Sequence, residues 1–182
     1  GWCPFNETWD YHGRKQYDEL LSTVYDYTKA VDSTRPCIDT SGNFHVKTDI
    51  YDVHDYTYDA TLFKRNYDRL VTDNELYEHV LLDNPGRQKY GGQPVFVSEY
   101  GGIKSWGYGK DVKTENEFAE RYIGLTDALI TNKKMFGFCY TQLYDIEQEQ
   151  NGLYTYERKK KFSDEIYKKI KETNLNAAAI ED

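Results

Sequence analysis

The chain has 182 residues, room for one domain with its own core, and its 31 acidic and 23 basic residues leave a formal net charge of −8. That balance argues against a nucleic-acid backbone as partner, which calls for a concentrated basic face. With a mean hydropathy of −0.86, no stretch approaches the ~20 apolar residues of a membrane-spanning helix.

In chain order, the apolar run from Trp2 to Asn6 reads as a buried strand that ends at Glu7. Asp18 then caps a helix through about Val31, with Leu20, Val24, Tyr27 and Val31 along one face. Pro36 stops that helix and opens a second strand over 36–39, and a third strand runs from about Asp49 to Tyr56. A polar helical region follows over 62–82, broken at Thr72-Asp73-Asn74 and closed at Asn84-Pro85-Gly86. Pro94 to Ser98 is a fourth strand, ending at Glu99. Thr114-Glu115-Asn116-Glu117 is a capping box for a helix carrying Phe118, Tyr122, Leu125 and Leu129, which should end near Asn132. Met135 to Tyr140 is a fifth strand, Ser163 caps a last helix with Ile166, Tyr167 and Ile170, and residues 175–182 read as a frayed tail.

Strands alternating with helices predict βα units on a parallel sheet, and no linker divides residues 1–182 into separate domains. Five strands do not close a (β/α)8 barrel, which takes roughly 250 residues. The alternatives are an open sheet or the later part of a barrel, and a chain opening inside a strand favours the second. The odd set of cysteines, Cys3, Cys37 and Cys139, has no paired ligand spacing; buried free thiols are expected, which fits a reducing, cytoplasmic setting.

Glu7 and Glu99 each stand at a strand's C-terminal end, where parallel α/β folds assemble their chemistry. Two such Glu among aromatics suggest a glycoside hydrolase, one carboxyl protonating the leaving oxygen while the other attacks the anomeric carbon. The alternative is that both merely end strands and pair with Lys or Arg. The abundant rings (18 Tyr, 8 Phe, 3 Trp) suit sugar-lined clefts, although most are expected at helix–sheet boundaries. Asp49, Asp52, His54 and Asp55 alternate faces along their strand and so do not converge on one ion. Neither a metal nor a cofactor is expected.

Five motifs occur in order: Phe5-Asn6-Glu7-Thr8-Trp9, Asp32-Ser33-Thr34-Arg35-Pro36, His54-Asp55-Tyr56, Ser98-Glu99-Tyr100-Gly101-Gly102, and Tyr140-Thr141-Gln142-Leu143 with the run 147–152. Together they resemble the catalytic barrel of glycoside hydrolase family 2, which holds the β-galactosidases, β-glucuronidases and β-mannosidases. Mannanase-like or cellulase-like barrels share the Asn-Glu pair but not the Thr-Gln-Leu and 147–152 runs. The resemblance covers nearly the whole chain and implies an α/β fold, a partial TIM barrel of roughly strands 4 to 8. It also implies a retaining exo-β-glycosidase for terminal β-linked sugars, with Glu7 as acid/base, Glu99 as nucleophile and Tyr140 flooring a subsite.

With those roles, Glu7 should be raised in pKa by Glu99 and by partial burial, and Glu99 held ionised by donors such as Tyr56. Asn6 would bond a sugar 2-hydroxyl and His54 would sit at the sugar rim. Trp106, with Tyr108, would form a stacking wall in the Gly-rich loop after Glu99. Trp2 and Trp9 read as packing residues, Arg35 as an ion-pairing brace, and one of Asp145, Glu147 and Glu149 as a hydroxyl acceptor. The family's first three barrel strands and its β-sandwich domains lie outside this sequence. The chain could therefore be inactive alone or only sugar-binding, and its open edges predict self-association. Carbohydrate is the expected partner; which sugar is not legible.

Overall fold

The computed structural model describes residues 1–8, 10, 13–42, 44–76, 87–88, 90–103 and 111–182. Strand β1 (Phe5–Asn6) pairs in parallel with β2 (Thr40–Ser41), and a bridge between Trp2 and Cys37 lengthens that pairing. Strands β3 (Tyr51–Asp55), β4 (Val95–Gly101) and β5 (Met135–Thr141) form a second parallel sheet in that order. Helix α1 (Asp18–Val31) links β1 to β2, α2 (Ala60–Thr72) links β3 to β4, α3 (Glu115–Ile130) links β4 to β5, and α4 (Asp164–Asn174) follows β5. The fold is thus alternating α/β with parallel strands, as expected, but in two small sheets rather than one arc.

The break between β2 and β3 has a chemical cause. Amides of the 37–42 segment go to carboxylates instead of a neighbouring strand: Cys37 to Asp49, Thr40 to Asp39, and Gly42 to Asp52. With those donors taken, no backbone ladder joins the two sheets there, and the Asp52 carboxylate does the joining through Ser41.

One face of the three-stranded sheet builds the core. Tyr51, Val53, Val95, Val97, Tyr100 and Met135 pack against Phe63, Tyr67 and Leu70 of α2, Phe118, Tyr122, Leu125 and Leu129 of α3, and Ile166 and Ile170 of α4. Full burial of each such side chain contributes about 1.5–3 kcal/mol. The alternation in β3 then sends Asp52 and His54 to the opposite face, where they are buried too.

Helix boundaries follow local signals closely. Asp59 caps α2 by accepting from the Leu62 amide. At α3, Thr114 accepts from the Glu117 amide and the Glu117 carboxylate accepts from the Lys113 amide. Four expectations need correction. In α1 the N-cap is Tyr17, and of the stripe Leu20, Val24, Tyr27 and Val31 only Val24 is partly buried while Leu21 is fully buried, because the packed side of the helix is the one that sends Tyr25 and Lys29 to Asp49. Ser163 caps α4 by position, but its hydroxyl and amide go to Glu115, tying α4 to the start of α3. Residues 179–181 form a 3-10 turn rather than a wholly frayed tail. Finally, all three cysteines are free, yet only Cys37 is buried; Phe138 and Tyr140 pack on the core, so Cys139 between them points away from it. The expected helical stretch beyond Leu76 and the Asn84-Pro85-Gly86 stop lie outside the described residues. No helix among the described residues is long and apolar enough to cross a membrane.

Candidate active site

Glu7 leaves β1 in the left-handed region, with φ 50, a costly conformation for a non-glycine residue and one met at functional sites. Its amide donates to Ser41 O, which fixes the turn. Glu99 reaches the same place through an irregularity in β4. Register runs Val53↔Val97 and then His54↔Glu99, skipping Ser98, and on the other side Val97↔Phe138 is followed by Tyr100↔Tyr140. Such a bulge re-aims side chains. Here it brings both Ser98 and Glu99 to the face carrying Asp52 and His54.

His54 lies between the two carboxyls, 2% exposed, with Nδ1 3.0 Å from Glu7 Oε1 and 3.4 Å from Glu99 Oε2. The Tyr56 hydroxyl donates to Glu99 Oε2 at 2.5 Å. Glu7, His54 and Glu99 each place one polar atom within 4.8 Å of the others, and the hydrogen bonds among them account for that closeness. Gly42 makes the approach possible: at φ 74, an added Cβ would lie 2.2 Å from His54 Nδ1.

Burial raises Glu99 above the ordinary glutamate value. The charge of His54 and the Tyr56 hydrogen bond pull it down, Glu7 and Asp52 push it up, and the upward direction prevails. The expected Tyr56 donor is present but does not outweigh burial. Beneath His54 lies a second buried cluster. His45 bonds Asp39 Oδ1 through Nδ1 at 2.7 Å, and its Nε2 is 3.1 Å from Asp52 Oδ1. Burial, which alone would lower it, is outweighed by these hydrogen bonds, and the imidazole is pushed up to about 10.

Of the expected site residues, Glu7, Glu99, His54 and Tyr56 converge. His54 is not at a rim but buried between the carboxyls. Asn6 is exposed at the end of β1, beside Glu7. The Tyr140 ring packs against Tyr100, Phe118 and Tyr122, and its hydroxyl donates to Asn151 O. Trp106, Tyr108 and Trp9 lie outside the described residues. Trp2 is half exposed, its indole donating to Asp32. Arg35 pairs with that same nearby Asp32 on the surface, so it braces a turn and not a barrel. The 141–152 run closes on itself, with Gln142 donating to Asn151 and the Gly152 amide to Asp145, which also pairs with Lys161. Asp145 is therefore a loop brace. A cavity of about 480 Å³ between the starts of α2 and α3, lined by Tyr58, Asp59, Glu117 and Arg121 among others, includes none of the converging residues.

Ser41, Ser98, Asp39 and His45 have no site role in the sequence expectations, and Asp52 entered only as a rejected metal ligand. The available signal was the polar alternation Asp52, His54, Tyr56 in a strand whose other face opens with Tyr51 and Val53.

No protein-family model and no curated protein sequence matches the chain. Its fold does match solved structures. A glycoside hydrolase family 2 β-galacturonidase from Eisenbergiella tayi bound to galacturonate aligns with TM-score 0.61 and 16% identity over 88% of this chain and 31% of its own. A Faecalibacterium prausnitzii β-glucuronidase gives 0.58 and 14% over 88% and 29%, and an exo-β-agarase 0.57 and 14% over 86% and 22%. The chain thus spans under a third of these proteins, and at such identity the likeness is one of fold, that of the glycoside hydrolase family 2 structures.

Proposed function

We propose that the chain is the catalytic-pair-bearing part of a retaining β-glycosidase, corresponding to roughly strands 4 to 8 of a (β/α)8 barrel. The observation that carries this reading is the carboxyl spacing: one oxygen from each of Glu7 and Glu99 lies within 4.8 Å of the other. A retaining pair stands roughly 5–5.5 Å apart, whereas an inverting pair leaves 6.5–9.5 Å for a water between. The names of the neighbours, galacturonidase, glucuronidase and agarase, support a β-linked sugar as substrate.

Glu7, more accessible from β1, is the acid/base and protonates the leaving oxygen. Glu99 attacks the anomeric carbon, and the Tyr56 hydroxyl and His54 are the donors that favour its ionised form. A water deprotonated by Glu7 then cleaves the glycosyl ester with net retention. Asn6, beside Glu7, is placed to meet a sugar hydroxyl. Because the chain spans under a third of its neighbours, these 182 residues by themselves are expected to bind sugar weakly and to turn over slowly or not at all.

A 2-deoxy-2-fluoro β-glycoside that inactivates the protein carrying these residues tests the reading, once a panel of nitrophenyl β-glycosides, uronides included, has found the sugar. Mass spectrometry should place the label on Glu99, and NMR should show the product anomer retained. A label elsewhere, or an inverted product, would overturn the assignment.

A further inference from the structure

We propose that His54 shares the site's working proton with Glu7, and that the buried chain Asp39–His45–Asp52–Ser41 confines this proton to the Nδ1 side of the ring. The inference rests on Glu7 being the acid/base. The shortest contacts assign the protons along the chain; Ser98 Oγ also lies 3.3 Å from Val53 O, but its contact with Asp52 is the shorter. Asp52 Oδ2 accepts the hydroxyls of both Ser41, at 2.5 Å, and Ser98, and the Gly42 amide at 3.2 Å. With both hydroxyl protons on Asp52, the 3.2 Å approach of Ser41 to Ser98 carries none. The 2.9 Å contact between Ser41 Oγ and His54 Nε2 must then be bridged by the ring's own proton, so Nε2–H donates to Ser41.

That assignment holds while Asp52 is a carboxylate, and His45 keeps it one. His45 Nε2 points at Asp52, 2.9 Å from its main-chain oxygen and 3.1 Å from Oδ1, and Nδ1 is bound by Asp39, itself satisfied by the amides of Thr40, Val46 and Lys47. Burial would raise Asp52, but His45 and the two hydroxyls hold it below the ordinary carboxylate value.

With Nε2 fixed, the remaining ring nitrogen faces Glu7 at 3.0 Å and Glu99 at 3.4 Å. One proton serves this corner. It sits either on Glu7, with Nδ1 as acceptor, or on Nδ1, with both carboxyls ionised. The two forms differ only by a transfer across the 3.0 Å contact, so no co-reactant is needed. In the first half-reaction the proton passes from Nδ1 to Glu7 Oε1 and on to the leaving oxygen, whose glycosidic bond breaks as Glu99 bonds carbon. In the second, the attacking water gives its proton to Glu7 and so back to Nδ1, while the ester to Glu99 breaks. Among the described residues, the groups facing His54 and its partners are Glu7 after β1, Glu99 of β4, Asp52 and Tyr56 from its own strand region, Cys3 against Asp52, His45 against Asp52, and Cys139 of β5 against Glu99.

Nitrogen-15 NMR of the histidine rings in the protein carrying these residues reads the tautomer without turnover. Nε2 of His54 is expected to carry the ring proton that faces Ser41 in the wild-type protein. Ser41→Ala removes the acceptor and should mix the tautomers. It should also lower kcat on poor leaving groups about tenfold with little change in KM, displace the pH profile, and spare activated nitrophenyl substrates. Ser98→Ala takes a hydroxyl from Asp52, yet the Ser98 hydroxyl bonds Asp52, Ser41 and Val53 O and not the His54 ring, so this variant should keep the Nε2–H tautomer. An Nδ1–H tautomer in the wild-type protein, or a Ser41→Ala spectrum indistinguishable from it, would overturn the proposal. If Ser41→Ala does not fold, the wild-type tautomer alone decides. A correct tautomer without Glu99 labelling would place the failure in the glycosidase reading and not in the proton arrangement.

Discussion

Raising the pH from about 7 to 8.5 should weaken the fold chiefly through His45. Its value is about 10 in the folded chain against 6.5 ordinarily, because two buried carboxylates face it. A group whose folded pKa lies above its unfolded one gives stability that is fully present below the unfolded value and lost as pH rises through the folded value. For His45 that window opens at 6.5 and closes near 10. Each pH unit inside it removes about 1.4 kcal/mol, so the chosen interval costs about 2 kcal/mol, and the whole shift caps at about 5 kcal/mol. The side chain is only 4% exposed, so solvent screening does little. Cys37 is raised to about 11 from 9, so its losses fall above the interval. Urea unfolding is the assay; at roughly 2 kcal/mol per molar urea, the midpoint should fall by about 1 M. His45→Gln should lose about 3–5 kcal/mol at pH 7, since Asp39 and Asp52 are left buried without their cation, and should then be nearly flat across the interval. An unchanged wild-type midpoint, or the same decline in His45→Gln, would refute the reasoning.

Glu7→Ala should slow natural glycosides most, spare the first step with good leaving groups, and be rescued by azide as the β-glycosyl azide; Glu99→Ala should abolish both and give the α-azide. Equal losses without rescue would count against the roles. Tyr56→Phe removes a hydrogen bond to a charged group, about 1.5–3 kcal/mol, and frees Glu99 to rise further; the acidic limb of kcat/KM should move to higher pH, with an activity loss of about 10- to 100-fold. Gly42→Ala puts a Cβ 2.2 Å from His54 Nδ1 and costs about 1–2 kcal/mol at a left-handed φ; kcat should fall about 100-fold, and unaltered kinetics would mean that His54 need not stay in place. The apolar hollow lined by Trp2, Ile38, Ile50, Phe96 and Phe136, with half-exposed Phe136, should drive association of the isolated 182-residue chain; sedimentation of a monodisperse monomer would contradict this.

What was legible in the sequence was local. The start of α3 comes from its capping box and its buried face from periodicity, and the α/β alternation comes from short apolar runs separated by helices. The pair Glu7 and Glu99 was legible by motif. Where reading failed, a distant partner decided. The segment after Pro36 bridges Trp2 at Cys37 and runs on to a strand at Thr40–Ser41, past its apolar residues, and forms no ladder with β3 because three of its amides find the carboxylates of Asp39, Asp49 and Asp52. Periodicity marks the stripe Leu20, Val24, Tyr27, Val31 as apolar but says nothing about what lies opposite it. Strict alternation would put Ser98 and Glu99 on opposite faces, and only pairing with β3 and β5 shows the bulge that turns both inward.

The polar residues of β3 carry the deeper difficulty. Alternation of Asp52 and His54 with Tyr51 and Val53 is the pattern of a strand with one solvated face, yet all four are buried. The two cases differ in the count of partners. A solvated face needs none, whereas Asp52 draws on Ser41, Ser98, Gly42 and His45, and His54 on Ser41 and Glu7. Those partners come from the segments around β1, β2 and β4, so the chemistry of this face resides in the topology that collects them. A buried ion left half-paired costs several kcal/mol. The same bonds that meet that cost at Asp52 also fix the proton on His54, so here the demands of stability and of reactivity fall on one set of side chains.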